Sequence, residues 1–179
     1  MEDLKARFAT VYEAAYTDLV RFAARRVGHD VAEDIAAEAF TIAWRRVSDL
    51  PAEIGEARAW LFGITRNLLL AQYRRDARTF GVQMGDPHPA DAAVPGHDDD
   101  VAAALDLEAA WRCLSEVHQE ALSLAVWDGL TSSQAAAVLG ISPVAYRIRL
   151  SRARKALRNL LDVSPPRPER PLVQEGRQS

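Results

Sequence analysis

The stretch from Thr131 to Tyr146 leaves the chain little choice of fold. Thr131-Ser132-Ser133-Gln134 opens a short helix on a hydroxyl residue, and Ala135, Ala136 and Ala137 let a second helix cross it closely. Gly140 supplies the left-handed residue that a tight helix-turn-helix connection needs. Ser142 is placed to cap the next helix, with Pro143 at its first position. Past the cap, Tyr146, Leu150, Ala153, Leu157 and Leu160 recur at helical steps and form a buried stripe. The other faces carry Arg147, Arg149, Ser151, Arg152, Arg154, Lys155 and Arg158. Such a segment is either an ordinary helical hairpin with a solvated basic face or a recognition helix for the DNA major groove. The alanines before the glycine, the Ser-Pro cap after it and the run of bases without an acid from Arg147 to Arg158 favour DNA.

The net charge of -3, from 22 Lys plus Arg against 25 Asp plus Glu, argues the other way until its distribution is read. Residues 1–80 are balanced, with 12 acids and 12 bases. Residues 81–108 hold seven acids (Asp86, Asp91, Asp98, Asp99, Asp100, Asp106, Glu108) and no base. Residues 109–161 hold seven bases and three acids, six of the bases lying between Arg147 and Arg158. A cationic helix is thus offset by an acidic connector, and that asymmetry says more about partners than the sum does.

Elsewhere the apolar pattern is helical throughout. Phe8, Val11, Tyr12, Ala15, Leu19, Phe22, Ala23 and Val27 predict a helix over 4–27 that Gly28 ends. Ile35, Phe40, Ala43 and Trp44 predict a second over 31–47, and Trp60, Leu61, Ile64, Leu68 and Ala71 a third over 56–78. The loop between them is bracketed by Pro51 and Gly55. Two more helices are expected over 105–115 and 117–127. Between Phe80 and Asp100 the periodicity disappears into Pro, Gly and Asp, and the tail from Ser164 is proline-rich. The expected architecture is all-α: a three-helix bundle over 4–80, a flexible acidic linker over 81–100, a four-helix helix-turn-helix domain over 101–161 and a disordered tail over 162–179. Trp44, Trp60, Trp111 and Trp127 are assigned to the core, and Cys113 to a packed helix position.

Several function classes drop out. No apolar run approaches the roughly 20 residues of a membrane span, and no secretory leader is evident, so a cytoplasmic protein without membrane insertion is expected. One cysteine makes neither a disulfide nor a Cys-based zinc site. The four histidines (His29, His88, His97, His118) are scattered, and no phosphate-binding glycine loop occurs. His88 and His97 near Asp98–Asp100 fit a solvated linker better than a metal site. No enzyme, cofactor or metal is expected.

Two separate stretches resemble the bacterial RNA polymerase sigma factors of the extracytoplasmic-function (ECF) group. Ala32-Glu33-Asp34-Ile35-Ala36-Ala37-Glu38-Ala39-Phe40-Thr41-Ile42-Ala43-Trp44-Arg45, followed by Arg58-Ala59-Trp60-Leu61-Phe62-Gly63-Ile64-Thr65-Arg66-Asn67-Leu68, is similar to conserved region 2. Asp128-Gly129-Leu130-Thr131 through Gly140-Ile141-Ser142, with Arg147-Ile148-Arg149-Leu150-Ser151-Arg152-Ala153-Arg154, is similar to region 4. The resemblance implies that region 2 binds the clamp helices of core RNA polymerase and opens the -10 promoter element around a flipped base. It implies that region 4 sits on the polymerase flap and reads the -35 element, with the linker threading toward the RNA exit path. A dedicated anti-sigma factor is the implied regulator.

On that resemblance, Asp34 and Glu38, one helical turn apart, are the core-docking acids, although for Glu38 a merely solvated position fits as well. Asn67 matches a position lining the flipped-base pocket, and an amide suits a Watson–Crick edge; an exposed helix asparagine is the equal alternative. The loop from Asp49 to Glu56 completes the pocket, and Arg66, Arg74, Arg75 and Arg78 offer charge to the DNA backbone. Arg147, Ile148, Ser151 and Arg152 match groove-facing positions, flanked by Arg149, Arg154 and Lys155. Tyr146 stands where such factors commonly carry valine, and Ala37 where they often carry glutamine. A stand-alone helix-turn-helix regulator of operator DNA would use the second domain but leave the first without a task. A protein–protein adaptor would leave the cationic helix idle.

Overall fold

The computed structural model describes residues 2–80 and 98–163. Most of the expected linker (81–97) and the tail from 164 lie outside the described residues. Among the described residues there are seven α-helices, one 3-10 turn and no strand.

Helices α1 (Glu2–Val27), α2 (His29–Arg45) and α3 (Ile54–Phe80) form the first bundle, with a 3-10 turn at Val47–Asp49. Val11, Ala15, Leu19, Phe22 and Ala23 of α1 are buried against Ala32, Ile35, Ala36, Ala39, Phe40 and Ala43 of α2 and Ala57, Leu61 and Ile64 of α3. The alanine-rich stripe of α2 lets its neighbours approach closely, while Phe22 and Phe62 fill the centre edge to face at 4.9 Å. The connection into α3 is pinned from a distance. The Arg7 guanidinium donates to the carbonyl of Leu50 at 2.6 Å and to that of Pro51.

Helices α4 (Asp98–Arg112), α5 (Glu116–Val126), α6 (Ser132–Leu139) and α7 (Pro143–Val163) form the second bundle. α4 begins seven residues before its expected start, inside the expected linker. Aspartates suit the positive end of a helix, so the Asp98–Asp100 run favours a helix start there. Thr131 closes a full capping box with Gln134, and Gly140 ends α6 at φ 66° in the left-handed region. The Ser142 hydroxyl accepts from the Ala145 amide at 3.1 Å, one turn into α7. Tyr146 is fully buried, and its hydroxyl donates to the Ala121 carbonyl of α5 at 2.8 Å.

The sequence treats the two bundles as separate beads. In the structure they touch: α6 lies against α3, and the buried apolar residues of both bundles form one continuous cluster. Gly55, Arg58, Arg66, Leu69 and Tyr73, along one side of α3, face the second bundle.

Candidate functional site

Three surfaces carry the residues picked out by the sequence. The first is the exposed arc of α7. Arg147, Ser151, Arg154 and Arg158 recur along one line and, with Ser132 of α6, bound a groove of about 450 Å3. Ile148, Arg152 and Lys155 form the adjoining line, all exposed, with Ile148 at 48%. None of Arg147, Arg152, Arg154 and Lys155 is held in an ion pair among the described residues. Arg149 does not join them. It is half-buried on the opposite flank of the helix, where the 3.6-residue period carries it away from the groove. An unpaired cationic arc of this kind has the charge and donors that phosphates and base edges accept.

The second surface lies on α2. Asp34 and Glu38 are exposed on the face that continues through Thr41 to Trp44. Trp44, expected in the core, is 44% exposed. Phe8 packs against its ring in a T-shaped contact at 5.0 Å, and Trp44 stands one residue before the end of α2. Tyr12 is also exposed and packs on Phe40 and Tyr16, so an aromatic ridge borders the acidic face. Sequence reasoning missed this ridge because aromatic residues at helical spacing read as core.

The third surface is α3, and here the structure divides the expected set. Asn67, Arg74 and Arg78 are exposed along one line of the helix. Arg75 is exposed on another side and donates to Gln72 Oε1 at 2.8 Å. Arg66, expected at the DNA backbone, instead pairs with Glu120 of α5 at 2.7 Å across the seam between the bundles. Trp60 is half-buried with the Arg46 guanidinium over its ring at 5.6 Å. In the first turn of α3, the exposed Glu56 accepts from Gln134 Nε2 at 3.2 Å, again across the seam.

The centre of the seam is Asp128, in the turn between α5 and α6. Its carboxylate is buried and pairs with Arg25 of α1, while its carbonyl accepts from Arg58 of α3 at 2.7 Å. Arg58 is also paired with Asp18 at 2.8 Å. Burial pushes the Asp128 carboxyl above its ordinary 3.8, against the pull of Arg25, Arg26 and Arg58. Burial likewise lowers Arg26 to about 10, with Asp128 opposing the shift. Beside these residues opens a cleft of about 280 Å3, lined by both bundles. Trp127, also expected in the core, follows the last residue of α5, is 42% exposed, and lies under the Arg25 guanidinium at 5.6 Å. Trp111 is partly buried against it, ring to ring at 4.7 Å. Cys113, expected to be packed, falls just past the end of α4 and is exposed. Among the described residues no cluster of metal-ligating side chains occurs and no helix is long and apolar enough to cross a membrane.

The family model for Sigma-70 region 2 matches residues 11–79, and that for Sigma-70 region 4 matches residues 104–157. The chain is 31% identical over 157 residues to the ECF RNA polymerase sigma factor SigL of Mycobacterium tuberculosis, covering 86% of this chain and 88% of SigL. It is 38% identical over 148 residues to the probable RNA polymerase sigma factor RfaY of Xanthomonas campestris, of which the match spans 36%. The crystallised sigma factor RpoE of Bartonella quintana, in complex with the anti-sigma factor NepR, superposes with a TM-score of 0.62 at 27% identity, over 92% of this chain and 100% of that one. The chain belongs to the sigma-70 family of RNA polymerase sigma factors, in its ECF group.

Proposed function

We propose that this chain recruits core RNA polymerase to promoters through two separately aimed modules, without catalytic chemistry of its own, in the cytoplasm. Residues 4–80 act as region 2, 101–161 as region 4, 81–100 as the connector and 162–179 as a passive tail. Asp34, Glu38 and the adjoining Trp44 dock on the polymerase clamp helices, acid against base with an aromatic anchor beside them. Region 4 mounts on the flap and turns the arc of Arg147, Ile148, Ser151, Arg152, Arg154 and Lys155 into the -35 major groove. Asn67 reads the flipped -10 base, with Arg74 and Arg75 on the backbone and Arg66 joining them once released from Glu120. An anti-sigma factor of the kind seen on the Bartonella protein holds the chain in reserve.

The observation that carries this reading is the unpaired cationic arc of α7 on the same chain as a region 2 bundle with an exposed acidic and aromatic face. Run-off transcription with purified core polymerase tests it. Discrete starts that depend on both promoter elements are expected. A chain that shifts operator DNA yet never starts transcription is a stand-alone regulator instead.

A further inference from the structure

The proposed recognition helix carries two side chains that the fold does not use. Val144 and Ile148 of α7 are 55% and 48% exposed, and neither belongs to the buried cluster or to the side chains packed on it. Both are β-branched, a type that lowers helix propensity rather than raising it. Neither burial nor helix formation accounts for an apolar pair at this place.

Their position on the helix is specific. At about 100° per residue, Val144, Ile148, Ser151 and Lys155 fall within about 60° of one another. This strip lies opposite Tyr146 and Ala153, which are fully buried, so it is the outermost line of α7. Arg147 flanks it on one side and Arg152 on the other, both exposed. The Ser142 cap places the apolar pair in the first two turns, the end of a recognition helix that meets base edges. α7 carries no acid before Asp162, so the surroundings of the pair suit a polyanion rather than an apolar partner protein.

A DNA major groove is about 12 Å wide and about 8.5 Å deep, and a helix laid in it turns its outermost line to the floor and its flanks to the walls. The arginines then reach phosphates and guanine edges. The floor beneath the first two turns meets two side chains that neither donate nor accept a hydrogen bond. Among the four bases only thymine offers them a matching group there, its 5-methyl. Guanine, adenine or cytosine would have a donor or acceptor covered without a partner, at a desolvation cost. Four residues of helix rise about 6 Å and base pairs are spaced about 3.4 Å apart, so the two methyl groups stand about two base pairs apart. Ser151, next along the strip, adds little discrimination, because its hydroxyl both donates and accepts.

We propose that Val144 and Ile148 determine specificity by reading thymine methyl groups, so that the site bound by α7 holds two thymines about two base pairs apart, on either strand. The proposal rests on the reading of α7 as the -35 helix and adds the class of base that it selects.

The test begins with duplexes carrying a randomised stretch, selected on the full chain assembled with core RNA polymerase. The enriched site should contain the thymine pair. Remaking that duplex with deoxyuridine at one of the two positions removes a single methyl group and leaves base pairing intact. Affinity should drop about fourfold for each position, the worth of one buried methyl group. Ile148→Ala should abolish the difference between thymine and uracil at one position and leave it at the other, and Val144→Ala should do the converse. Circular dichroism should show both variants folded, since each replaces an exposed side chain. Equal affinity of the unaltered chain for thymine and uracil duplexes, or a uracil effect that survives both alanine variants, overturns the proposal. An enriched site without thymines overturns it too and leaves base choice to Arg147 and Arg152. Run-off transcription reads the sigma-factor assignment separately. Discrete starts that ignore the uracil substitutions refute methyl readout alone, whereas no enrichment and no starts condemn the recognition-helix reading and the proposal with it.

Discussion

Tyr146 offers a direct measure of how tightly the helix-turn-helix is held against the rest of the second bundle. Its ring is fully buried and its hydroxyl reaches from α7 to the Ala121 carbonyl of α5. Replacing it by Phe removes one hydrogen bond while the carbonyl keeps its place in the α5 ladder, a loss of about 0.5–1.5 kcal/mol. Replacing it by Val removes the ring as well. Phe→Ala substitutions in cores cost about 3–5 kcal/mol, and the two extra carbons of valine return roughly 0.8 kcal/mol each. With the lost hydrogen bond added, Tyr146→Val should cost about 2–5 kcal/mol. Urea titration followed by far-ultraviolet circular dichroism gives both numbers, read as shifts of midpoint at constant slope. Equal midpoints for the Phe and Val variants would mean that the ring is not packed where the structure puts it. The same experiment checks the hydroxyl, since burial holds its proton above the ordinary tyrosine value of 10.0. In a spectrophotometric titration one tyrosine should ionise late, and Tyr146→Phe should remove that step.

The remaining predictions address each surface in turn. Trp44→Ala should weaken core polymerase binding by about 2 kcal/mol, as expected of a central aromatic anchor, and Asp34→Ala by less; an unchanged affinity in a fluorescence titration removes α2 from the docking face. Arg152→Ala should lower -35 affinity by roughly 1–3 kcal/mol, whereas Arg149→Ala should leave it within about twofold, since Arg149 lies off the arc; equal losses measured by polarisation would contradict the geometry. Gly140→Ala meets open space but forces a side chain into φ 66°, at a cost of roughly 1–2 kcal/mol in thermal unfolding. For Asp128, which faces Arg25, Arg26 and Arg58, the folded carboxyl takes up its proton before the unfolded one does, because burial has raised its pKa above 3.8. Its contribution to stability is therefore full below 3.8 and lost as pH rises through the folded value, and Asp128→Asn should flatten that slope in denaturation curves taken across mildly acid pH.

The helix-turn-helix was legible in the sequence because each of its signals is local. A hydroxyl cap, a left-handed glycine and a Ser-Pro start each constrain a few neighbouring residues, and the structure places all three where the spacing predicts. The seam was not legible because it depends on pairs far apart in the chain, Arg25 with Asp128 at 103 residues and Arg58 with Asp128 at 70. One trace of it was present. α3 carries Leu69 and Tyr73 on a different side from Ala57, Leu61 and Ile64, and a helix apolar on more than one side must bury more than one side. Trp44, Trp127 and Cys113 were misplaced for one shared reason. Each stands at or just past a helix terminus, where periodicity still counts residues but the packing partners have ended.

The seam also explains the charge pattern from which the sequence reading began. The stretch from 109 to 161 holds only three acids, Glu116, Glu120 and Asp128. Glu120 and Asp128 pair with arginines of the first bundle, and Glu116 lines the same cleft between the bundles. None of the three stands on α7, whose one acid, Asp162, lies in its last turn beyond the cationic arc. These three acids are thus gathered at the surface that meets the first module, and the bases of α7 at the surface proposed to meet DNA.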